Sequence, residues 1–219
     1  EQEKNLFIAE NENKINEERV LISEIIIKGW ENHPEGRKLE LAAYDSMSIK
    51  PGSIVDNQIL NQDLNAIYAS GWFSGVNIKS QDGPLGVKLI VNVVPNPILK
   101  KVEIKPRNSI ISDAYVDDIF QNYYGTTLNL GEFQNKIEII KKRYENEGYS
   151  LARISGPDRI SENGIVILNV SEGIISAVDL RFLGADEEPR KGKTKKWVIN
   201  RELKTQPGTV FNRKVLEAD

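Results

Sequence analysis

The sequence predicts an α+β fold built from tandem modules, each running strand, helix, helix, strand, strand. Three observations predict it. A short phrase of glycine, Ser or Thr, any residue, a large apolar residue and Asp or Asn occurs three times. The copies are Gly52-Ser53-Ile54-Val55-Asp56, Gly125-Thr126-Thr127-Leu128-Asn129 and Gly208-Thr209-Val210-Phe211-Asn212. Two copies lead through a helix-like stretch into a glycine followed by an aromatic, at Gly71-Trp72 and Gly148-Tyr149. Adding 77 to the number maps Ile25 to Val102, Ile27 to Ile104, Leu60 to Ile137, Ile67 to Tyr144 and Gly71 to Gly148. Self-similarity at one fixed period is the mark of a repeat array.

The elements follow in order. Residues 1–18 are polar with little periodicity and read as a flexible leader. The first module, 19–96, opens with an apolar-rich strand over residues 20–28, broken by Gly29 and the cluster 32–36. A weakly amphipathic helix is expected over 39–47, ended by Pro51-Gly52. Asp56 or Ser53 caps the second helix by accepting its free amide hydrogens. Leu60, Leu64, Ile67 and Gly71 share one face of it at helical spacing. Val76 and Ile78 alternate, Asp82-Gly83-Pro84 turns, and Val87, Leu89, Val91 and Val93 alternate again, which is a hairpin.

The second module, 97–173, repeats the order. Its strand covers 100–105, Ser112 caps a helix carrying Val116, Ile119, Phe120 and Tyr123, and Asn129 caps the next. That helix has Phe133, Ile137, Ile140 and Tyr144 on one face and is four residues longer between cap and terminal glycine, about one turn. Residues 153–155 and 165–170 form the closing hairpin. A third module, 174–219, starts with Val178, Leu180 and Phe182 alternating as a strand and stops inside its second helix. Without a closing hairpin it is expected to be poorly ordered or completed by a neighbour.

Composition narrows the function. The 219 residues carry a net charge of −3, against nucleic acid as the main partner, because phosphate binding needs a basic face. The chain has no cysteine, which excludes disulfides, zinc–thiolate sites and thiol nucleophiles. No apolar run reaches the roughly 18 residues of a membrane-spanning helix, and none has the pattern of a signal peptide. An exported protein whose signal was removed reads the same way.

Candidates for covalent chemistry are weak. His33, the single histidine, sits in a Pro/Gly-bounded loop with no second ligand nearby. The acid pairs Asp117-Asp118, Glu145/Glu147 and Glu187-Glu188 read as solvated faces, since acid–base work needs convergent burial. There is no Gly-x-Ser-x-Gly elbow and no Walker loop. The reading is therefore not an enzyme, with no cofactor, no metal and no catalytic residue.

The array resembles POTRA domains. The residues that carry the resemblance are Lys50-Pro51-Gly52-Ser53, Gln206-Pro207-Gly208-Thr209, Ile67-Tyr68-Ala69-Ser70-Gly71-Trp72-Phe73 and the strand end Val91-Asn92-Val93-Val94-Pro95-Asn96-Pro97. The loop Gly192-Lys193-Thr194-Lys195-Lys196-Trp197-Val198-Ile199 resembles the extended third module of the cyanobacterial and chloroplast import-channel branch. The long loop over 30–38 departs from the pattern and blurs the start of the first helix.

The resemblance implies modules with a three-stranded mixed sheet covered on one face by two helices. It implies the periplasmic portion of a BamA-type outer-membrane β-barrel assembly or translocation factor, attached through a C-terminal membrane barrel. The implied partners are unfolded outer-membrane proteins or precursor polypeptides, that barrel, and accessory periplasmic subunits. A structural spacer that docks partner subunits, or a two-partner secretion transporter, are the other readings.

An edge strand offers unpaired backbone amides and carbonyls to an extended peptide. In the resembling family the second strand is commonly such an edge. Here it corresponds to Gly75, Val76, Asn77, Ile78, Lys79 and Ser80, and to Ala152, Arg153, Ile154 and Ser155. The plainer reading makes these ordinary sheet members guarded by Lys79 and Arg153.

A second candidate surface is the loop with Arg190, Lys191, Lys193, Lys195 and Lys196, five basic residues in seven. It is either a solvated loop or a contact to anionic headgroups or the membrane barrel. Trp197 beside it is either a helix-core residue, the favoured reading, or an exposed contact to client or barrel within the same membrane-facing set. Trp72, Phe73 and Tyr149, at helix-to-strand corners, are expected to pack in the cores.

Overall fold

The structure is a computed structural model that describes residues 19–106, 109–157 and 160–219. The expected leader, 1–18, lies outside the described residues. The described residues form two compact units, one within 19–99 and 125–133, the other within 100–124 and 134–219.

In the first unit, β1 (Val20–Lys28), α1 (Gly36–Ser46), β2 (Ile54–Val55), α2 (Asn57–Ala69), β3 (Phe73–Gly83) and β4 (Gly86–Pro95) follow one another. The sheet order is β2-β1-β4-β3, with β1 parallel to β4 and the other pairs antiparallel. The expected three strands are joined by the two-residue β2. Alternation puts Ile27, Leu89, Val91 and Val93 on the buried face, against Leu39 and Ala43 of α1 and Ile67 of α2. Asp56 caps α2, its carboxylate accepting from Ile59 N at 3.0 Å. The helix ends at Gly71, whose φ of +83° is open to glycine.

In the second unit, β5 (Lys101–Lys105), α3 (Asp113–Phe120), α4 (Leu130–Glu147), β6 (Arg153–Ser155) and β7 (Ile165–Ser171) give the order β5-β7-β6. The first turn of α4 packs with the first unit and the rest with the second. Val102 pairs with Val166 and Ile104 with Leu168, the registers of Ile25 with Leu89 and Ile27 with Val91 shifted by the same 77 residues. Phe133, Ile137, Ile140 and Tyr144 are all buried, as their spacing predicts.

The repeated phrase has a structural reason. Gly52 N donates to Ile22 O at 2.7 Å, Gly125 N to Leu99 O at 2.8 Å, and Gly208 N to Ile175 O at 2.7 Å. Ser53, Thr126 and Thr209 return the bond, their carbonyls accepting from Ile22, Leu99 and Ile175 N at 2.9, 2.8 and 2.9 Å. Each glycine has a φ between +83° and +92°, a turn conformation strained for other residues. The phrase is a turn that lays an extended segment beside the opening residues of each repeat, as the strand β2 on β1 in the first and as the single bridges Ile98↔Thr127 and Ile174↔Val210 in the others.

The third repeat corrects one expectation. Residues 178–182 form no strand, although Val178, Leu180 and Phe182 alternate. In the first two repeats the opening strand pairs with the last strand of the hairpin, and residues 174–219 contain no counterpart of that strand. What forms is α5 (Lys196–Glu202) and α6 (Arg213–Ala218), neither of which buries a residue fully.

Candidate functional site

β3 stands at the end of its sheet, so one side of its eleven-residue backbone is unpaired by any described strand. Pro84 and Leu85 separate Gly83 from Gly86, which makes that partnered couple the hydrogen-bonded closing pair of a two-residue hairpin. Hydrogen-bonded and non-hydrogen-bonded pairs then alternate along an antiparallel ladder. The register runs unbroken from Gly83↔Gly86 to Gly75↔Val94. Asp82, Ser80, Ile78 and Val76 therefore turn their N–H and C=O away from β4. Gln81, Lys79 and Asn77 spend theirs on it.

Val76 and Ile78 pack on the first core, while Lys79 and Ser80 are exposed. Of the sequence-predicted edge residues, Gly75, Val76, Asn77, Ile78, Lys79 and Ser80 lie in β3. Arg153, Ile154 and Ser155 form the whole of β6, and Ala152 lies just before it, its N–H donating to Tyr149 O at 3.0 Å. β6 is an edge strand too, but only three residues long.

The corner aromatics separate. Phe73 is fully buried, and Trp72 is partly buried with the Lys38 ammonium 4.6 Å from its ring centroid. Tyr149 meets buried Tyr144 edge to face at 6.1 Å. Trp197 corrects the expectation of a core position: it is 60% exposed on α5, with the Arg201 guanidinium over its ring. A seven-residue helix with no sheet beneath it has no core for the indole to enter.

In the basic loop, Arg190 pairs with Asp186 at 2.9 Å and Lys196 with Asp179 at 3.4 Å. Arg181, bonded to Asp179 at 3.0 Å, and then Lys196 hold that aspartate below its usual range, and Arg190 does the same to Asp186. Lys191, Lys193 and Lys195 make no ion pair among the described residues.

Several polar residues that pattern reading passed over hold the first unit together. Asp63 on α2 is 2% exposed and accepts from Ser48 N and Oγ and from Ile49 N at 2.9, 2.7 and 2.8 Å. Asn96 is buried, its Nδ2 donating to Gly71 O and Leu128 O, both at 2.9 Å. His33 is part of the scaffold: its Nδ1 accepts from Glu35 N at 3.2 Å, which leaves Nε2–H facing Asn96 O at 3.1 Å. The Glu35 carboxylate accepts from both the N–H and the hydroxyl of Thr127, and the hydroxyl bond leads in holding its pKa down. No sequence signal joins residues 92 positions apart. Among the described residues no group of acidic side chains and histidine converges as a metal site.

Comparison with known proteins gives consistent matches. Residues 20–96 match the family model described as surface antigen variable number repeat, a POTRA model, and residues 98–173 match the ShlB-type POTRA domain. The N-terminal domain of Omp85 from the cyanobacterium Thermosynechococcus elongatus is 39% identical, with a TM-score of 0.81 over 93% of this chain and 84% of that one. The POTRA1-3 region of the periplasmic domain of Omp85 from Anabaena is 36% identical, with a TM-score of 0.76 over 93% and 83%. Outer envelope protein 80, chloroplastic, of Oryza sativa subsp. japonica is 29% identical over 206 residues. This chain spans 93% of its own length in that match and 30% of the relative's.

Proposed function

This chain belongs to the POTRA-domain family, as a POTRA region of Omp85 type, and from that premise we propose that it serves outer-membrane protein assembly or translocation. It receives unfolded client polypeptides on its exposed sheet edge and passes them toward a membrane barrel, from the periplasmic side of the outer membrane. The names of its relatives support the location. The observation that carries the binding reading is the free side of β3, with four residues whose backbone groups face outward. An extended peptide added there pairs by backbone alone, so it is read by conformation and not by sequence. Each bond contributes a net of about 1 kcal/mol, and ordering the peptide opposes it. The result is weak binding, suited to handing a client onward. β6, three residues long, is the poorer acceptor.

A proline scan with NMR titration tests this. A peptide of alternating apolar and polar residues is expected to shift the amides of Val76, Ile78, Ser80 and Asp82 at millimolar concentration. Ser80→Pro removes an outward N–H, which an edge strand tolerates, and is expected to abolish those shifts while the hairpin stays folded. Gln81→Pro removes a ladder bond and is expected to open the hairpin end. Unshifted β3 amides, or binding that survives Ser80→Pro, would overturn the reading.

The second surface is the loop with Arg190, Lys191, Lys193, Lys195, Lys196 and Trp197. Three lysines without ion pairs and an exposed indole beside them support contact with anionic headgroups or with the barrel.

A further inference from the structure

The last residue of the repeated phrase differs among its copies: Asp56, Asn129, Asn212. All three cap the helix that follows. Asp56 accepts from Ile59 N at 3.0 Å, Asn129 Oδ1 from Gly131 N and Glu132 N at 2.9 and 3.1 Å, and Asn212 Oδ1 from Lys214 N and Val215 N at 3.0 and 3.3 Å. Capping alone therefore does not require an amide, and aspartate serves as well.

The two asparagines do something further. Asn129 Nδ2 donates to Ser70 O at 2.9 Å, and Leu130 N donates to Gly71 O at 2.9 Å. Asn212 Nδ2 donates to Glu147 O at 3.0 Å, and Arg213 N to Gly148 O at 2.8 Å. In both places the acceptors are the carbonyls at the C-terminal end of a helix that stops at a glycine. A Cβ on Gly71 would lie 2.8 Å from Asn129 Oδ1, and one on Gly148 2.4 Å from Asn212 Oδ1. The glycines are thus required twice, for φ values of +83° and +96° and for the room the asparagine occupies.

We propose that this asparagine is a latch: one side-chain amide closes two helix ends at once, and its nitrogen decides whether a phrase docks on a glycine-ended helix. The oxygen takes the free N–H groups of the helix it starts, and the nitrogen supplies a donor to the free carbonyls of the helix it meets. An aspartate at the same place keeps the first function and reverses the second. It has no donor at neutral pH, and its charge opposes the negative end of the helix dipole. Asp56 marks a phrase closed to such a helix end. The kind of partner a phrase accepts is therefore written in one residue, and this holds whether or not β3 takes a client.

Asn129→Asp in the full chain at pH 7 separates the two functions, because the cap survives and the donor is lost. Amide exchange is the readout. The Leu130 amide is expected to exchange tenfold faster or more, while the Glu132 amide, held by the cap, changes less than twofold. Asn212→Asp is expected to do the same at Arg213 with Val215 unchanged, and Asp56→Asn to leave α2 protection as it was. Asn129→Ala, which loses both bonds, is expected to release Leu130 and Glu132 together. An unchanged Leu130 in Asn129→Asp, or equal acceleration of Leu130 and Glu132 there, overturns the latch.

Discussion

Glu35 illustrates a single side chain whose contribution depends on pH. Its carboxyl is held below the usual value of 4.5, first by the Thr127 hydroxyl. A depressed carboxylate stabilises the fold above its unfolded pKa, and that contribution is lost as pH falls through the folded value. Glu35→Gln is therefore expected to be less stable than the parent at pH 7, with the difference shrinking below pH 4.5, by denaturant titration at both pH values. Asp63 is a stronger case, because two N–H groups and a hydroxyl converge on it in a buried setting. Asp63→Ala leaves those donors unpaired and should cost about 3 kcal/mol, measurable as a lowered denaturation midpoint. At the corner, Phe73→Ala should cost about 3–5 kcal/mol and Trp72→Ala clearly less, since the phenyl ring is enclosed and the indole is only partly covered. Spacing placed both aromatics at a corner; it did not tell which would be enclosed.

Helices and strands were read from the chain more completely than side-chain partners were. The face of α4 was legible because a helix repeats every 3.6 residues, so Phe133, Ile137, Ile140 and Tyr144 had to align. The β3–β4 hairpin was legible from Asp82-Gly83-Pro84 between two alternating runs. The two-residue β2 was not, because a strand that short carries no period. Residues 178–182 show the converse: alternation states which face a strand would bury, but a ladder exists only where a second backbone supplies donors and acceptors. Amides over 178–182 are accordingly expected to exchange with little protection, while those of β5 and β7 stay protected for far longer. Equal protection of the two groups would show an unrecognised partner strand.

At the scale of the molecule, net charge is slightly negative while the loop over 190–196 concentrates five cations. On the proposed reading of that loop, replacing Lys191, Lys193 and Lys195 by Gln is expected to weaken binding to anionic vesicles severalfold. Raising the salt should do the same to the parent, and neither change should affect peptide shifts on β3. Unchanged vesicle binding would leave the loop a solvated connection. The sequence by itself determined the repeat, its 77-residue period and, in the first two modules apart from β2, the order of elements and the buried faces. Those follow from local chemistry: turn glycines, capping oxygens and apolar spacing act within a few residues. Tertiary structure alone decided that β3 is an eleven-residue edge and β6 a short one, that Trp197 stays exposed, and that Glu35 meets Thr127. It also decided what the asparagines of the phrase grip, because a hydrogen bond between residues distant in the chain is set by where the fold brings them and leaves no period to read.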